Sequence, residues 1–137
     1  MTHVFERLLL ATEHTEFDSG AEALAFALAR RCALPLTAVL PIVSNPEYEA
    51  LAPQLAARAD ALAAERLHGL EAAARSLGVA LAVQARRGPD LALEIVDEAT
   101  ASGADLIIIR RRGQRGILAR LLVGEMVRSV LVRAPCS

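Results

Sequence analysis

The chain alternates between short apolar runs and longer segments whose apolar residues recur every three or four positions. The short runs, bounded by polar or turn residues, predict strands at residues 4–11, 36–43, 79–85 and 106–109. The longer segments predict helices at residues 19–31, 53–77, 88–102 and 121–133. This β-α-β-α-β-α-β-α order predicts a single α/β domain over residues 1–137. We expect an open parallel sheet in a three-layer α/β/α, Rossmann-like arrangement with right-handed crossovers.

Turn and capping signals refine several of these elements. Ser19 and Glu22 have the spacing of a capping box at the start of the first helix. Pro89 falls in the first turn of the third predicted helix. Residues 44–47 predict a turn. Pro41 lies near the end of the second strand, where a missing backbone donor is tolerated at an edge or beyond the hydrogen-bond ladder.

The fourth predicted strand, Leu106 to Ile109, consists of four large apolar residues after Asp105. Such a run is typical of a strand buried on both faces, as in the middle of a parallel sheet. The segment that follows, residues 110–116, combines four arginines with two glycines. In open α/β sheets ligands bind beyond the carboxyl ends of the strands, so this segment becomes a candidate ligand loop.

Composition narrows the class of protein. The chain is 54% hydrophobic but only 3% aromatic, which predicts a core of Ala, Leu, Val and Ile. Its longest apolar runs are shorter than a membrane span, and its first residues lack the pattern of a signal peptide. We therefore expect a cytoplasmic protein that does not associate with membranes. Cys32 and Cys136 match no metal-ligand spacing, so we expect two reduced thiols.

Charge is distributed unevenly along the chain. Residues 106–137 carry seven arginines and one acid, a balance of +6, whereas residues 1–105 carry a balance of −7. Every one of the fifteen basic side chains is an arginine. A Walker-A phosphate loop and a Schiff-base lysine are therefore excluded, because both need a lysine.

Three segments far apart in sequence should meet at the carboxyl edge of the predicted sheet: residues 11–15, Arg86 with Arg87, and residues 110–116. An acid, several guanidinium groups and glycine backbone amides together suit an anionic ligand such as a nucleotide. The alternative is that the arginines are solvated or paired with the acidic first part of the chain. Likewise, Glu13 is either a ligand contact or an ordinary loop residue.

No catalytic constellation and no metal site is predicted. The chain has no nucleophile elbow, no paired histidines on one helix face and no cluster of metal ligands. His3, His14 and His68 have no partner at catalytic spacing. Ser19 is better explained as a helix cap than as a nucleophile.

Several segments together resemble the universal stress protein family, and the resemblance extends over essentially the whole chain. The ending, Leu-Leu-x-Gly followed by a helix and Ala-Pro-Cys, is the most specific of them. The residues that carry the resemblance are Leu8-Leu-Leu-Ala-Thr-Glu-His-Thr15, Ala23-Leu24, Leu36-Thr-Ala-Val39, Ala104-Asp-Leu-Ile-Ile-Ile109 and Leu121 to Cys136. The resemblance implies a parallel sheet of the adenine nucleotide α-hydrolase-like type in the order 3-2-1-4-5, usually in dimers. One branch of the family binds ATP between the first and fourth strands.

The ATP-binding branch carries an aspartate after the first strand and a glycine-rich phosphate loop. By position, the resemblance places Glu13 where the adenosine-contacting aspartate stands, and Arg110 at the first glycine of the loop. Glu125 stands where the loop has its phosphate-binding Ser or Thr. The full set of residues implied for a nucleotide site is Ala11, Thr12, Glu13, Pro41, Ile109, Arg110, Gly113, Gly116, Gly124 and Glu125. Gly116 belongs to an alternative register of the loop, in which Gly113 and Gly116 keep the first spacing of the pattern.

These departures predict that ATP binding of the family's usual kind is weakened or lost, for ATP and AMP alike. An arginine side chain fills space where backbone must approach phosphate, and a carboxylate near the γ-phosphate repels it. The extra arginines could, in the opposite direction, supply positive charge. The resemblance also implies a valine-rich fifth strand after Ala-Pro-Cys, often at the dimer edge. The sequence stops before this strand, which indicates either a truncated chain or an altered dimer. We therefore expect a four-stranded sheet and self-association, as a homodimer or through another surface.

The function expected from the sequence is that of a non-enzymatic, cytoplasmic stress-response protein. It would act through self-association and through binding of a nucleotide or another small anion, without a metal. The alternative is a weak nucleotide hydrolase or transferase that uses Glu13 or Glu125 to position metal or water. Nucleic-acid binding through the basic C-terminal part is a third reading, which the lack of aromatic stacking platforms disfavours.

Overall fold

The computed structural model describes residues 5–110, which form a four-stranded parallel sheet and four α-helices. The elements are β1 Leu8–Ala11, α1 Ser19–Cys32, β2 Leu36–Val43, α2 Pro46–Leu51, α3 Pro53–Ser76, β3 Leu81–Gly88, α4 Leu91–Ser102 and β4 Leu106–Ile109. The strand order is β3-β2-β1-β4, and all neighbours are parallel. The predicted fold class and strand order 3-2-1-4 are confirmed. The predicted last helix, the end of the chain and the question of a fifth strand lie outside the described residues.

Three layers arise because successive side chains of β1 point to opposite faces of the sheet. Leu8 and Leu10 pack with α1 and α3 on one face, and Leu9 and Ala11 pack with α4 on the other. All four residues of β1 are buried. The first strand, rather than the fourth, is therefore the strand buried on both faces. In β4 only Ile108 is fully buried, because β4 ends the described sheet.

The second strand was predicted with its observed bounds, and its length positions Pro41. The ladder between β1 and β2 ends where Ala11 pairs with Val39, whereas the ladder between β2 and β3 continues to Val43. Pro41 therefore lies beyond the end of β1, where its missing N–H removes no bond to that strand. This placement sets its ring beside the carboxyl end of β1.

The predicted capping box of the first helix is wrong. The Ser19 hydroxyl donates to the Glu16 carbonyl oxygen at 3.1 Å, and Glu22 turns away to side chains after β1. A capping box does form one turn earlier, around the short 3-10 turn Glu16–Asp18. There the Asp18 carboxylate accepts from the Thr15 N–H at 3.0 Å, and the Thr15 hydroxyl accepts from the Phe17 N–H at 3.3 Å.

Three other local predictions differ from the structure. The third strand spans Leu81–Gly88 rather than residues 79–85. The third predicted helix begins at Leu91 rather than at Gly88, because the Asp90 carboxylate accepts from the Ala92 and Leu93 N–H groups and caps it there. Pro89 therefore precedes the helix. Residues 44–47 do not form an isolated turn, because the short helix α2 starts at Pro46. Among residues 5–110, no helix is both long and apolar enough to cross a lipid bilayer.

Candidate functional site

A narrow cleft lies at the carboxyl ends of β1 and β4, where the strand order reverses. Its volume is about 10 Å³, room for about one water molecule. Apolar walls come from β2, α4 and β4, and polar groups come from the segment after β1 and from Arg110, which follows β4. The lining residues are Ala11, Thr12, Glu13, Asp18, Pro41, Ile95, Ile109 and Arg110. This is the position at which doubly wound sheets bind their ligands.

Six residues predicted for a nucleotide site lie together in this cleft: Ala11, Thr12, Glu13, Pro41, Ile109 and Arg110. The other four, Gly113, Gly116, Gly124 and Glu125, lie outside the described residues. Sequence reasoning missed two lining residues, Asp18 and Ile95. Asp18 could have been found from its position three residues after Thr15, the spacing of a cap, whereas no sequence signal assigned Ile95 to the cleft.

The polar centre of the cleft is an ion-pair cluster around Arg110. One guanidinium nitrogen, Nη2, donates to the Glu13 Oε2 atom at 2.8 Å. The other, Nη1, lies 3.5 Å from the Asp18 Oδ2 atom and 3.4 Å from the Thr15 hydroxyl. The Arg110 side chain is only 7% exposed, whereas that of Glu13 is 27% exposed. Two carboxylates therefore share one buried guanidinium, and the described part of the cleft carries a net negative charge.

A second network supports the segment that carries Glu13. The buried Thr12 hydroxyl donates to the Glu22 carboxylate at 2.5 Å and accepts from the His14 backbone N–H at 2.9 Å. The same carboxylate lies 3.0 Å from the His14 Nδ1 atom. These bonds fasten the residues on both sides of Glu13 to α1, so the turn after β1 is positioned by side chains.

His14 occupies a strained position that helix α3 helps to fix. Its φ of 54° lies in the left-handed region, which costs energy for a residue other than glycine. The imidazole packs on α3 at Gly69, where an added Cβ would lie 2.9 Å from the Nε2 atom. Glycine at residue 69 therefore allows α3 to approach the loop closely.

Arg86 and Arg87 lie at the same edge of the sheet but outside the cleft. Arg86 pairs with Glu98 at 3.0 Å and with Glu94 at 3.6 Å. Arg87 pairs with Glu49 at 3.4 Å and with Asp60. Of the two readings that the sequence left open for these arginines, an anion-binding cluster or pairing with acids, the structure shows pairing. The alternative, pairing with acids in the first part of the chain, describes them and Arg110 alike.

The buried polar groups in the described part of the site all have hydrogen-bond partners. Among residues 5–110, every buried side-chain nitrogen or oxygen has a hydrogen-bond partner, and no three His, Cys, Asp or Glu side chains come together as metal ligands would. A ligand that bonds to these buried groups must therefore replace hydrogen bonds that the protein already makes.

Comparison with known proteins adds independent evidence on this chain. The model of the universal stress protein family matches residues 5–137. A search of curated proteins finds no significant match.

Solved structures of low sequence identity share the fold over nearly the full length. Universal stress protein UspA from Lactobacillus plantarum is 22% identical with a TM-score of 0.78, and the match covers 98% of this chain and 96% of that one. A universal stress protein in complex with cAMP is 18% identical with a TM-score of 0.77, covering 98% and 95%. The protein from Archaeoglobus fulgidus in complex with dAMP is 18% identical with a TM-score of 0.69, also covering 98% and 95%.

Proposed function

Because the chain belongs to the universal stress protein family, we propose that it is a non-enzymatic, cytoplasmic stress-response protein that self-associates and binds an adenine nucleotide or another small anion. The observation that carries this proposal is the cleft between the carboxyl ends of β1 and β4. Residues from four separate elements of the chain converge there, at the switch point of the sheet.

The chemistry of the cleft supports a nucleotide more than an unsubstituted anion. Pro41, Ile95 and Ile109 offer apolar surface to a base, and Glu13 offers a carboxylate to a hydroxyl or amino donor. Arg110 is the described group that can meet a phosphate. Two proteins of the same fold were solved with adenine nucleotides, cAMP and dAMP, which supports the choice of ligand class.

The same geometry supports weak binding. A guanidinium stands at residue 110, where the family's phosphate loop has its first glycine, and it is already bonded to two carboxylates. A phosphate that approaches must compete with Glu13 and Asp18 for Arg110 and is repelled by both. We propose a dissociation constant for MgATP above the low micromolar range.

The alternative function, a weak nucleotide hydrolase or transferase, fits the cleft less well. It would need Glu13 to position a metal ion or water, whereas this carboxylate is bonded to Arg110 at 2.8 Å. Glu13 would have to give up this ion pair in order to bind a metal ion or orient water. Release of phosphate from ATP above the rate without protein would favour the alternative.

Calorimetry and native mass spectrometry with AMP, ADP and ATP, each with magnesium, test the proposal. We expect stoichiometric binding at high micromolar to millimolar concentration that Glu13→Ala removes, on the order of tenfold or more for one lost charged hydrogen bond. Glu16→Ala is the matched control, because Glu16 is exposed on the adjacent turn and does not line the cleft. Binding that is absent for all three nucleotides, or equally strong in Glu13→Ala, would contradict the proposal.

Self-association is tested separately by analytical ultracentrifugation over a range of concentrations. Large apolar side chains that remain exposed on α2 and α3 support it, among them Leu51 at 85% and Leu55 at 59% exposure. A single monomeric species at the highest concentration would overturn this part of the proposal.

A further inference from the structure

Arg110 is the feature of the cleft that the proposed function leaves unexplained. Its guanidinium is buried, and it lies inside the cleft rather than at its rim. The two carboxylates that it contacts come from the segment after β1, more than ninety residues earlier in the chain. The protein's own cation therefore occupies the place beside Glu13 that a ligand donor would take.

We propose that Arg110 makes this cleft selective for nucleotides over nucleosides. When a ligand binds, the bond between Arg110 and Glu13 breaks, and each of the two side chains needs a new partner on the ligand. This inference rests on the proposed function and assigns a role that it does not contain. The ligand must carry a hydrogen-bond donor to replace the guanidinium on Glu13. It must also carry an anionic group to receive the guanidinium that leaves.

A ligand with only one of these groups gains little. A nucleoside can donate to Glu13, but it displaces a buried guanidinium from a carboxylate and offers that cation no new partner. Inorganic phosphate can accept from Arg110, but it leaves Glu13 without its cation and adds a further anion beside the two carboxylates of Glu13 and Asp18. A nucleoside monophosphate supplies both groups on one molecule, so each half of the exchange compensates for the other.

The surrounding contacts allow the guanidinium to leave without unravelling the loop. Asp18 keeps two shorter bonds when Arg110 moves, from the Thr15 N–H at 3.0 Å and from the Thr15 hydroxyl at 2.7 Å. The segment around Glu13 stays attached to α1 through the Thr12 and His14 contacts with Glu22. The Arg110–Glu13 bond, which joins two flexible side chains, is therefore the bond that exchange breaks.

The test compares adenosine, AMP and inorganic phosphate by calorimetry on wild-type protein and on Arg110→Ala. Wild type should bind AMP at least about tenfold more tightly than adenosine and should bind phosphate least. In Arg110→Ala, adenosine should bind about tenfold more tightly than it does to wild type, because Glu13 is released and space is opened. AMP should bind this variant more weakly than wild type, since its phosphate now meets only carboxylates. The order of preference should therefore invert.

Two further variants make the result specific. Arg110→Gln keeps a donor and most of the side-chain volume but removes the charge, so it should lose the preference for AMP even if Arg110→Ala folds poorly. Arg86→Ala is the matched control: Arg86 is paired with Glu94 and Glu98 at the same edge but does not line the cleft. Its affinities for all three probes should equal those of wild type.

The outcomes separate this inference from the proposed function. If wild type binds AMP and Arg110→Ala only weakens AMP while adenosine is unchanged, Arg110 is a simple phosphate contact; the inference is overturned and the proposed function stands. If wild type binds none of the probes, the proposed function fails, and Arg110→Ala still decides the inference. Adenosine binding gained in that variant supports it, and no gain overturns it.

Discussion

At both ends of β1 and β4 a carboxylate links the two strand regions, but the groups that donate to it differ. At the amino end, the Asp105 carboxylate accepts from the backbone N–H groups of Glu6 and Arg7, at 2.8 and 3.0 Å. At the carboxyl end, the Glu13 carboxylate accepts from the side chain of Arg110. Each carboxylate joins the first strand region to the fourth. A backbone N–H can leave its carboxylate only if the main chain moves, whereas a guanidinium can leave by rotation of its side chain.

The amino edge of the sheet is therefore structural, whereas the carboxyl edge is suited to ligand binding. Because the donors to Asp105 belong to the backbone, a ligand could replace them only by distorting the chain before β1. At the opposite edge a ligand needs only to exchange side-chain bonds. Substitutions at the two edges should therefore have different effects on folding and binding.

The largest effect on stability is expected from Glu22→Ala, which removes the side-chain support of the carboxyl edge. The Thr12 hydroxyl and the His14 ring both lose their acceptor, and Thr12 is buried. We expect the free energy of unfolding in urea to fall by about 2–4 kcal/mol, as for buried polar groups that lose their partners. Nucleotide binding should weaken with it, because Glu13 lies between the two residues released.

The exposed Glu16→Ala should change the unfolding free energy by less than about 0.5 kcal/mol, as is usual at exposed positions away from special features. If Glu22→Ala were as stable as this control, the hydrogen-bond network would not be what positions the loop after β1.

The contrast between the two edges also explains what the sequence could predict. The parallel sheet, the bounds of β2 and the convergence of Glu13 and Arg110 follow from apolar periodicity and from topology, which brings strand ends together. Pro41 was assigned to the site by the family resemblance alone. The hydrogen-bond partners of individual side chains do not follow from periodicity and topology. The spacing of Ser19 and Glu22 predicts a capping box. In the structure the Glu22 carboxylate instead bonds to the Thr12 hydroxyl and the His14 ring.

The acids with which the arginines pair also could not be predicted from the sequence. Spacing locates Arg86, Arg87 and Arg110 at one edge, but it does not specify which acids on neighbouring helices and loops face each guanidinium. That depends on the rotation of α4 against the sheet, which brings Glu94 and Glu98 to Arg86 and Ile95 to the cleft. The sequence therefore left two readings open for these arginines, an anion-binding cluster or pairing with acids, and the structure shows that Arg86, Arg87 and Arg110 are paired.

A smaller effect on stability, confined to folding, is expected at the amino edge from Asp105→Asn. The amide keeps one acceptor but turns an NH₂ group toward the second backbone donor. Because the carboxylate is partly exposed, we expect a loss of about 1 kcal/mol at pH 7 in urea unfolding. Nucleotide affinity should equal that of wild type, since the substitution lies at the opposite edge from the cleft.

The pH dependence of this loss is a sharper test. The Glu6 N–H has the largest effect and lowers the pKa of Asp105 in the folded protein. Desolvation, the next largest effect, raises this pKa, and the Arg7 N–H lowers it further, so the net shift is downward. A lowered folded pKa means that the stabilisation is complete above the unfolded pKa of about 3.9 and is lost as pH falls through the folded value. The difference between wild type and Asp105→Asn should shrink over that acidic window, whereas Asp97→Asn, at an exposed position of α4, should show no such trend.

The smallest effect on stability is expected from Arg87→Ala. This substitution tests whether a position at the carboxyl edge is by itself enough to affect AMP binding. The Arg87 side chain is 38% exposed, and its partners Glu49 and Asp60 are 35% and 56% exposed. Such solvent-exposed pairs contribute about 0–1 kcal/mol, and added salt weakens them further. We expect a loss below about 0.5 kcal/mol in urea unfolding, smaller still in high salt, with AMP affinity unchanged. A change in AMP affinity as large as that of Arg110→Ala would mean that the edge acts through its overall charge and not through the buried bond between Arg110 and Glu13.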